Sequence, residues 1–317
     1  MRFGAVYGLI FALATPAVAS DFSLQLPIDC TLGQTCFIQN QVDRDPGPGV
    51  LDYQCGGLSY NGHKGTDFRL PTLADMHQGV NVLAAASGIV RGIRDGIADV
   101  GPNQDTQGKE CGNGLVLLHP DGWETQYCHM KNGSLQVQPG QKITAGTVLG
   151  QVGLSGKSEF PHLHLSIRHN GEVIDPFDLS AFATCGKAGE TIWQNAPGYV
   201  AGGLLDGGFS PAVPDYAAIK SGTADQSPLP VNAPALVFWA FAYGGQNGDV
   251  LELAVDGPEG RLVDHRVTLA KDQAQFYRAA GKRLKTQTWP LGDYIGTATL
   301  IRNGTKIDQM TQPMNMR

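Results

Sequence analysis

Five side chains between residues 63 and 164 have the types and the spacing to do chemistry. His63 and Asp67 lie in Asn61-Gly62-His63-Lys64-Gly65-Thr66-Asp67, where both are competent metal ligands and the glycine between them lets the backbone turn so that they converge. His162 and His164 flank Leu163 in Pro161-His162-Leu163-His164-Leu165. On a strand, residues two apart share a face, so the two imidazoles stand side by side while Leu163 and Leu165 face the opposite layer. His129 closes the run Thr125-Gln126-Tyr127-Cys128-His129-Met130, where a strand end could aim it at the same face. Taken singly, each motif has a bland reading: a hydrogen-bonded surface pair, a solvated strand face, a satisfied structural histidine. Together they supply enough donors for a metal held by three protein ligands, with the fourth position left to water and two histidines left to handle protons.

The elements that must position these residues read as strands. From Gly79 to about Ile174, short β-branched runs alternate with glycine turns: Val80-Asn81-Val82-Leu83, Gly88-Ile89-Val90, Leu115-Val116-Leu117-Leu118, Val148-Leu149-Gly150-Gln151-Val152 and Leu163-His164-Leu165-Ser166-Ile167. Leu70 to Gln78 and the acidic Asp95 to Gly112 interrupt this pattern as surface insertions, and long loops on a rigid scaffold commonly border a groove. Residues 201–230 are rich in Gly, Ala, Pro and Ser and read as a connector. Beyond it, strands such as Ala235-Leu236-Val237-Phe238-Trp239-Ala240-Phe241 and Asp249-Val250-Leu251-Glu252-Leu253-Ala254-Val255 predict a small immunoglobulin-like β-sandwich over 231–317. The expected fold is mainly β: an antiparallel sheet domain with a groove over 20–200, then the connector, then the sandwich.

Composition narrows the classes. With 317 residues and 42% of them apolar, the chain is long enough for two domains with real cores. A formal charge of -6 and the lack of a long basic run argue against nucleic acid as a partner. Arg2, an apolar stretch from about Phe3 to Ala14, then Pro16 and Ala17-Val18-Ala19 have the layout of a secretory leader over 1–19, with the mature chain starting near Ser20. No later segment is apolar enough to span a membrane. All six cysteines fall after the leader and before residue 190, an even number in a chain that reads as exported, so disulfides are expected. Cys111 and Cys128 flank a hairpin turning at Pro120-Asp121-Gly122 and are expected to pair.

His63-x-Gly65-x-Asp67, then Tyr127-x-His129-Met130, then Pro161-His162-Leu163-His164-Leu165 resembles the lysostaphin-type, LytM-like zinc endopeptidases of bacterial cell walls. The resemblance runs over roughly residues 60 to 176 and takes in Gly112-Asn113-Gly114, Gly153-Leu154-Ser155-Gly156 and Asp175-Pro176. It implies one zinc ion held by His63, Asp67 and His164, with His129 and His162 as the catalytic histidines. Since no His-Glu-x-x-His glutamate is present to act as base, one of His129 and His162 takes the proton of a zinc-activated water and the other stabilises the oxyanion or protonates the leaving amine. Which does which stays open. The resemblance further implies an exported metallo-endopeptidase, periplasmic or extracellular, that hydrolyses peptide cross-links or stems of peptidoglycan. An envelope protein partner bound through the C-terminal domain is a further expectation. The rival reading is a non-catalytic relative that activates a cell-wall amidase.

Overall fold

The computed structural model describes residues 22–103, 105–186 and 189–317. The leader expected at 1–19 lies outside the described residues. Among those described, no helix is long and apolar enough to cross a membrane.

Ten strands build the first unit: β1 (Phe37–Asn40), β2 (Thr66–Arg69), β3 (Asn81–Leu83), β4 (Gly88–Arg94), β5 (Asn113–Leu118), β6 (Trp123–Met130), β7 (Lys142–Ile143), β8 (Val148–Gln151), β9 (His162–His169) and β10 (Glu172–Ile174). Eight of them form one sheet in the order β1-β2-β9-β6-β5-β4-β7, with β10 paired to β9, while β3 and β8 form a separate ribbon. The pairings are antiparallel. Strand β9 shows why the sheet has an inside: Leu163, Leu165 and Ile167 are at most 1% exposed and enter a core with Phe68, Leu117 and Tyr127. The alternate positions, His162, His164 and Ser166, therefore lie on the other face, as the period-two pattern predicts.

Helix α1 (Leu73–Gln78) occupies one stretch expected to be a surface insertion. Its start is fixed by a capping box, in which the Thr72 hydroxyl accepts from the Asp75 backbone N–H and the Asp75 carboxylate accepts from that of Thr72. Leu70 and Met76 are buried, so this segment packs inward at one end rather than standing off the surface. The acidic loop from Asp95 is also tied down. Asp99 accepts from the backbone N–H groups of Leu154 (2.8 Å) and Asn132 (2.9 Å), and Asp95 accepts from Gly133 (2.8 Å).

Strands β11 (Gly203–Ser210), β12 (Ala235–Gly245), β13 (Val250–Gly257), β14 (Gly260–Thr268), β15 (Gln273–Arg283), β16 (Gly292–Arg302) and β17 (Thr305–Met316) follow, with helix α2 (Tyr216–Ser221) after β11. They form a three-stranded sheet β11-β12-β15 and a four-stranded sheet β14-β13-β16-β17 around a shared core that includes Phe209, Phe238, Leu253 and Leu300. This is an immunoglobulin-like order in which the fourth strand pairs with the third instead of the fifth. Residues 203–210 fall within the stretch expected to be a connector, yet they form the first sandwich strand. Its glycines mislead because they answer to packing: a Cβ on Gly208 would lie 2.7 Å from the Asp225 side chain, and one on Gly207 would lie 3.1 Å from the Trp239 carbonyl oxygen. Strand β12 is buried on both faces. Leu236, Phe238 and Ala240 face the sandwich core, whereas Trp239, Phe241 and Tyr243 cluster with Phe37 of β1 and Ile219 of α2.

Three disulfides join Cys30 to Cys36, Cys55 to Cys185, and Cys111 to Cys128, the last being the pair expected from the hairpin. Arg44, fully buried, binds the carboxylate of Asp175 (3.0 Å) and the carbonyl oxygens of Asp178, Ser180, Ala181 and Thr184, tying the N-terminal loops to the end of the first unit.

Because Leu165 is completely buried in the sheet core, Leu165→Ala is expected to lower stability by about 2–5 kcal/mol. Leu118→Ala, at a position 37% exposed on the same sheet, should stay within about 0.5 kcal/mol. Urea denaturation of the two variants checks this, and equal losses would show that the core does not lie where β9 places it.

Candidate metal centre

Cross-strand register brings the key residues together. Asp67 of β2 lies opposite His164 of β9, Arg69 lies opposite His162, and Cys128 of β6 faces His164 from the other side. Three of the side chains singled out in the sequence, Asp67, His162 and His164, thus come from regular strand positions on the face away from the core. His63 arrives from the loop before β2, held by its backbone N–H to the Tyr60 carbonyl (2.9 Å) and its own carbonyl to the Asp43 N–H (2.9 Å). The glycine between His63 and Asp67 has a different reason from the one expected. Gly65 needs no left-handed backbone; a Cβ there would come within 2.6 Å of the His164 ring and of the Leu165 carbonyl oxygen. It leaves room for His164.

His129 is the irregular member. Strict alternation would place it on the Tyr127 face, toward the core. Instead Cys128 and His129 together oppose Gly114, because the register jumps from Leu115↔Tyr127 to Asn113↔Met130. His129 has φ of 60°, a left-handed backbone that costs a non-glycine residue about 1–2 kcal/mol. Its backbone N–H donates to the Cys111 carbonyl (2.8 Å), and the disulfide from Cys111 to the adjacent Cys128 holds the same bulge. The bulge turns the imidazole to within 4.6 Å of the His162 ring and 5.9 Å of the His164 ring, centre to centre.

Hydrogen bonds on the outer side of each ring fix what faces inward. A carbonyl oxygen can only accept, so Nδ1 of His63 donates to Gln41 O (2.6 Å), Nδ1 of His129 to Ser155 O (2.8 Å) and Nδ1 of His162 to Phe160 O (2.9 Å). In each neutral ring Nε2 is then left with a lone pair. His164 is turned the other way, with Nε2 on the Ser166 hydroxyl (2.9 Å) and Nδ1 inward. Asp67 gives one oxygen to the Asn40 side-chain amide (2.8 Å) and turns the other, Oδ1, to His164 Nδ1 (2.8 Å) and His63 Nε2 (3.2 Å). The two ring nitrogens are themselves 3.1 Å apart. Tyr60, half exposed, lies over His63 with ring centres 4.4 Å apart and forms part of the rim.

These three separations match a metal. Two ligands at about 2.0 Å from a tetrahedral ion stand roughly 3.3 Å apart, and the donor set is of the kind zinc takes, with each ligand held from behind by a further hydrogen bond. A second triplet, His129, His162 and His164, also has donor atoms within 4.8 Å of one another, and shares His164 with the first. The first is the better cradle, since it contains a carboxylate and its outer partners orient all three donors on one point.

Asn40, Ser166 and the carbonyls of Gln41, Ser155 and Phe160 did not stand out in the sequence. Ser166 had a usable signal, two residues beyond His164 on the same strand face. Asn40 had none, because it reaches Asp67 across β1 and β2, and carbonyl partners carry no residue signature.

Charge follows geometry. Burial opposes ionisation of Asp67, but His63, His162 and the hydrogen bonds from His164 and His63 hold its carboxyl well below the usual range. Burial also opposes charge on His63, and the neighbouring Asp67 overcomes it, leaving that imidazole more basic than usual. His129, by burial and then by the nearby His162 and His164, is held well below the ordinary value, and burial lowers His162 as well.

Two imidazoles and a carboxylate converging on the open face of an antiparallel sheet are the donor set of a mononuclear metal centre of the zinc type. Residues 61–176 match peptidase family M23. Over 120 residues the chain is 31% identical to the DD-carboxypeptidase/endopeptidase Mpg of Neisseria meningitidis, covering 37% of this chain and 23% of that protein. Over 137 residues it is 27% identical to the peptidoglycan DD-endopeptidase ShyC of Vibrio cholerae, covering 42% of this chain and 27% of that protein. The chain thus spans about a quarter of the length of these curated relatives. Among solved structures, the catalytic domain of lysostaphin from Staphylococcus simulans is 25% identical, covering 43% of this chain and 85% of that domain, with a TM-score of 0.28.

The pH response of the metal-free protein follows. Below the ordinary histidine value of 6.5, the unfolded chain takes up protons at His129 and His162 that the folded chain refuses, so both contribute a loss of stability as pH falls. His63, with its raised value, opposes them; its contribution is full below 6.5 and fades as pH rises through its native value. Asp175 and Asp206, raised by burial to about 6, also take up protons in the folded chain as pH falls, so the titration of the individual rings, not the denaturation midpoint, reports the site. Ring NMR should show His63 titrating first on acidification and His129 resisting; the reverse order would refute the arrangement.

Proposed function

We propose that the chain is an exported zinc-dependent endopeptidase acting on the peptide part of peptidoglycan. The observation that carries the metal is the meeting of three donor atoms of the kinds zinc takes, His63 Nε2, Asp67 Oδ1 and His164 Nδ1, at separations of 2.8 to 3.2 Å. Without a metal, ring protons of His63 and His164 meet the Asp67 carboxylate; a bound cation takes the place of those protons. Zinc held there supplies Lewis acidity toward a peptide carbonyl and toward water. Asn40, Gln41 and Ser166 orient the three donors from behind.

The proton work falls to His129 and His162. Both are buried, both are held below the ordinary histidine value, and both present an inward Nε2 with a free electron pair near neutral pH. Each Nδ1–H is locked to a carbonyl oxygen, so only Nε2 can exchange a proton with a reacting group. Between them they accept the proton of the attacking water and return one to the leaving amine. His162 Nε2 also lies 3.5 Å from Asp67 Oδ1, close enough for the carboxylate to favour its protonated form during turnover.

Support for the substrate class comes from the family and from the relatives, of which ShyC is a peptidoglycan DD-endopeptidase and Mpg a DD-carboxypeptidase/endopeptidase. Export is supported by three disulfides, which persist in oxidising compartments.

The full chain should bind one zinc ion and release short peptides from purified peptidoglycan, with activity lost on chelation and restored by zinc. His164→Ala should lose both metal and cleavage, whereas His162→Ala should keep most of its metal and lose cleavage. Metal binding with no cleavage by the wild-type chain would replace this reading with that of a binding protein, such as an activator of a wall amidase. Asn40→Ala should weaken zinc binding by about 10- to 100-fold in competition with a chelating dye. Unchanged affinity would remove Asn40 from the metal's support.

A further inference from the structure

Arg69 is only 1% exposed, and every partner it has is neutral. Its Nε–H donates to the Leu70 carbonyl (3.1 Å), Nη2 to that of Pro71 (3.2 Å), and Nη1 to the Gln39 side-chain oxygen and, at 3.5 Å, to that of Gln275. The guanidinium carbon sits 4.7 Å from the centre of the Phe160 ring and 5.4 Å from that of Phe241. Phe160 belongs to the segment that enters β9; Phe241 and Gln275 belong to the sandwich strands β12 and β15. The cation is therefore clasped between an aromatic ring of each unit, in a setting where the face of a ring offsets part of the loss of water.

Phe160 is also the immediate support of His162. Its carbonyl accepts the Nδ1–H of that ring at 2.9 Å, and the two rings lie 4.5 Å apart. The backbone is tied at the same place, since the Leu70 N–H donates to the Pro161 carbonyl (2.9 Å) and Arg69 stands opposite His162 in the β2–β9 register. A cation that served only to join two units would do so as well beside an acid. Placed against Phe160 with neutral partners, this one fixes a neighbouring imidazole without bringing a second carboxylate to it.

We infer that the C-terminal sandwich is a working part of the site: Phe241 and Gln275 seat Arg69, and Arg69 holds the Phe160 ring whose carbonyl sets the position and tautomer of His162. Arg69 and Phe160 are positioning residues, and the inference rests on the peptidase reading for the role of His162. It predicts that the sandwich acts on turnover rather than on metal retention or substrate capture.

The test uses the full-length chain with soluble peptidoglycan fragments and, in parallel, the metal-free protein by ¹⁵N–¹H NMR of its histidine rings. Phe160→Leu and Arg69→Met should keep wild-type zinc content and KM while kcat falls about 10- to 100-fold, the scale expected when a reacting group is misplaced by about 1 Å. Phe160→Tyr, which keeps the ring, should retain most of the wild-type kcat, and Gln275→Ala should show a smaller loss of the same kind. The His162 Nδ1–H resonance, sharp and slow to exchange in the wild type, should broaden in Phe160→Leu and Arg69→Met. A purely structural role would lower the melting temperature and leave the kcat of the folded protein and this resonance unchanged, and that result overturns the inference. Should Arg69→Met not fold, Phe160→Leu and Gln275→Ala decide, since both leave the guanidinium in place. A wild-type chain that cleaves no fragment counts against the peptidase reading, while the NMR comparison still decides whether the sandwich positions His162.

Discussion

His63 Nε2, His164 Nδ1 and the ionised Asp67 Oδ1 turn toward one point at separations of 2.8 to 3.2 Å, an arrangement in which the carboxylate holds either ring protons or a cation. Much of the surrounding structure exists to impose it. The β2–β9 register sets Asp67 beside His164, Gly65 leaves space for the His164 ring, and Gln41, Asn40 and Ser166 hold the outward atoms so that no donor can swing away. The desolvation of this buried polar cluster is offset by burial of the apolar side of the same strands, where Phe68, Leu163 and Leu165 are fully enclosed. One face of β9 thus offsets the burial of polar groups on the other.

How far this could be read in the sequence depends on whether a residue obeys its local period. His162, Leu163, His164 and Leu165 do, and alternation alone separates the pair of imidazoles from the core. His63 and Asp67 are legible through their types and their nearness in the chain. The orientation of His129 is not, because an extra residue in β6 and a left-handed backbone reverse the face that alternation would give it. Strand β11 is hidden for a related reason: its glycines match the composition of a linker, while in the folded chain they are gaps filled by Asp225 and Trp239. The helix at Leu73–Gln78 carries its sequence signal at Thr72 and Asp75, a capping box that reading the stretch as a surface insertion leaves out.

The run Ala235-Leu236-Val237-Phe238-Trp239-Ala240-Phe241 shows what a missing alternation can mean. A sandwich strand with one face in water should alternate with polar residues. This one does not, because its second face meets Phe37 and Ile219 and is covered by the rest of the chain. The sandwich is therefore joined to the unit that carries the candidate site through an apolar contact at the same edge of the sheet where Arg69 and His162 lie.

The disulfide from Cys55 to Cys185 spans 130 positions, and all five residues of the candidate site fall between its two ends. That stretch of chain is consequently a closed covalent circle with the site inside it. Closing so long a loop restricts the unfolded chain by about 5 kcal/mol in the chain-entropy description. It also changes what a single backbone cut can do. A nick in any surface loop between the two cysteines opens the circle into one linear piece and frees no fragment, so the five side chains stay on one molecule even after such damage.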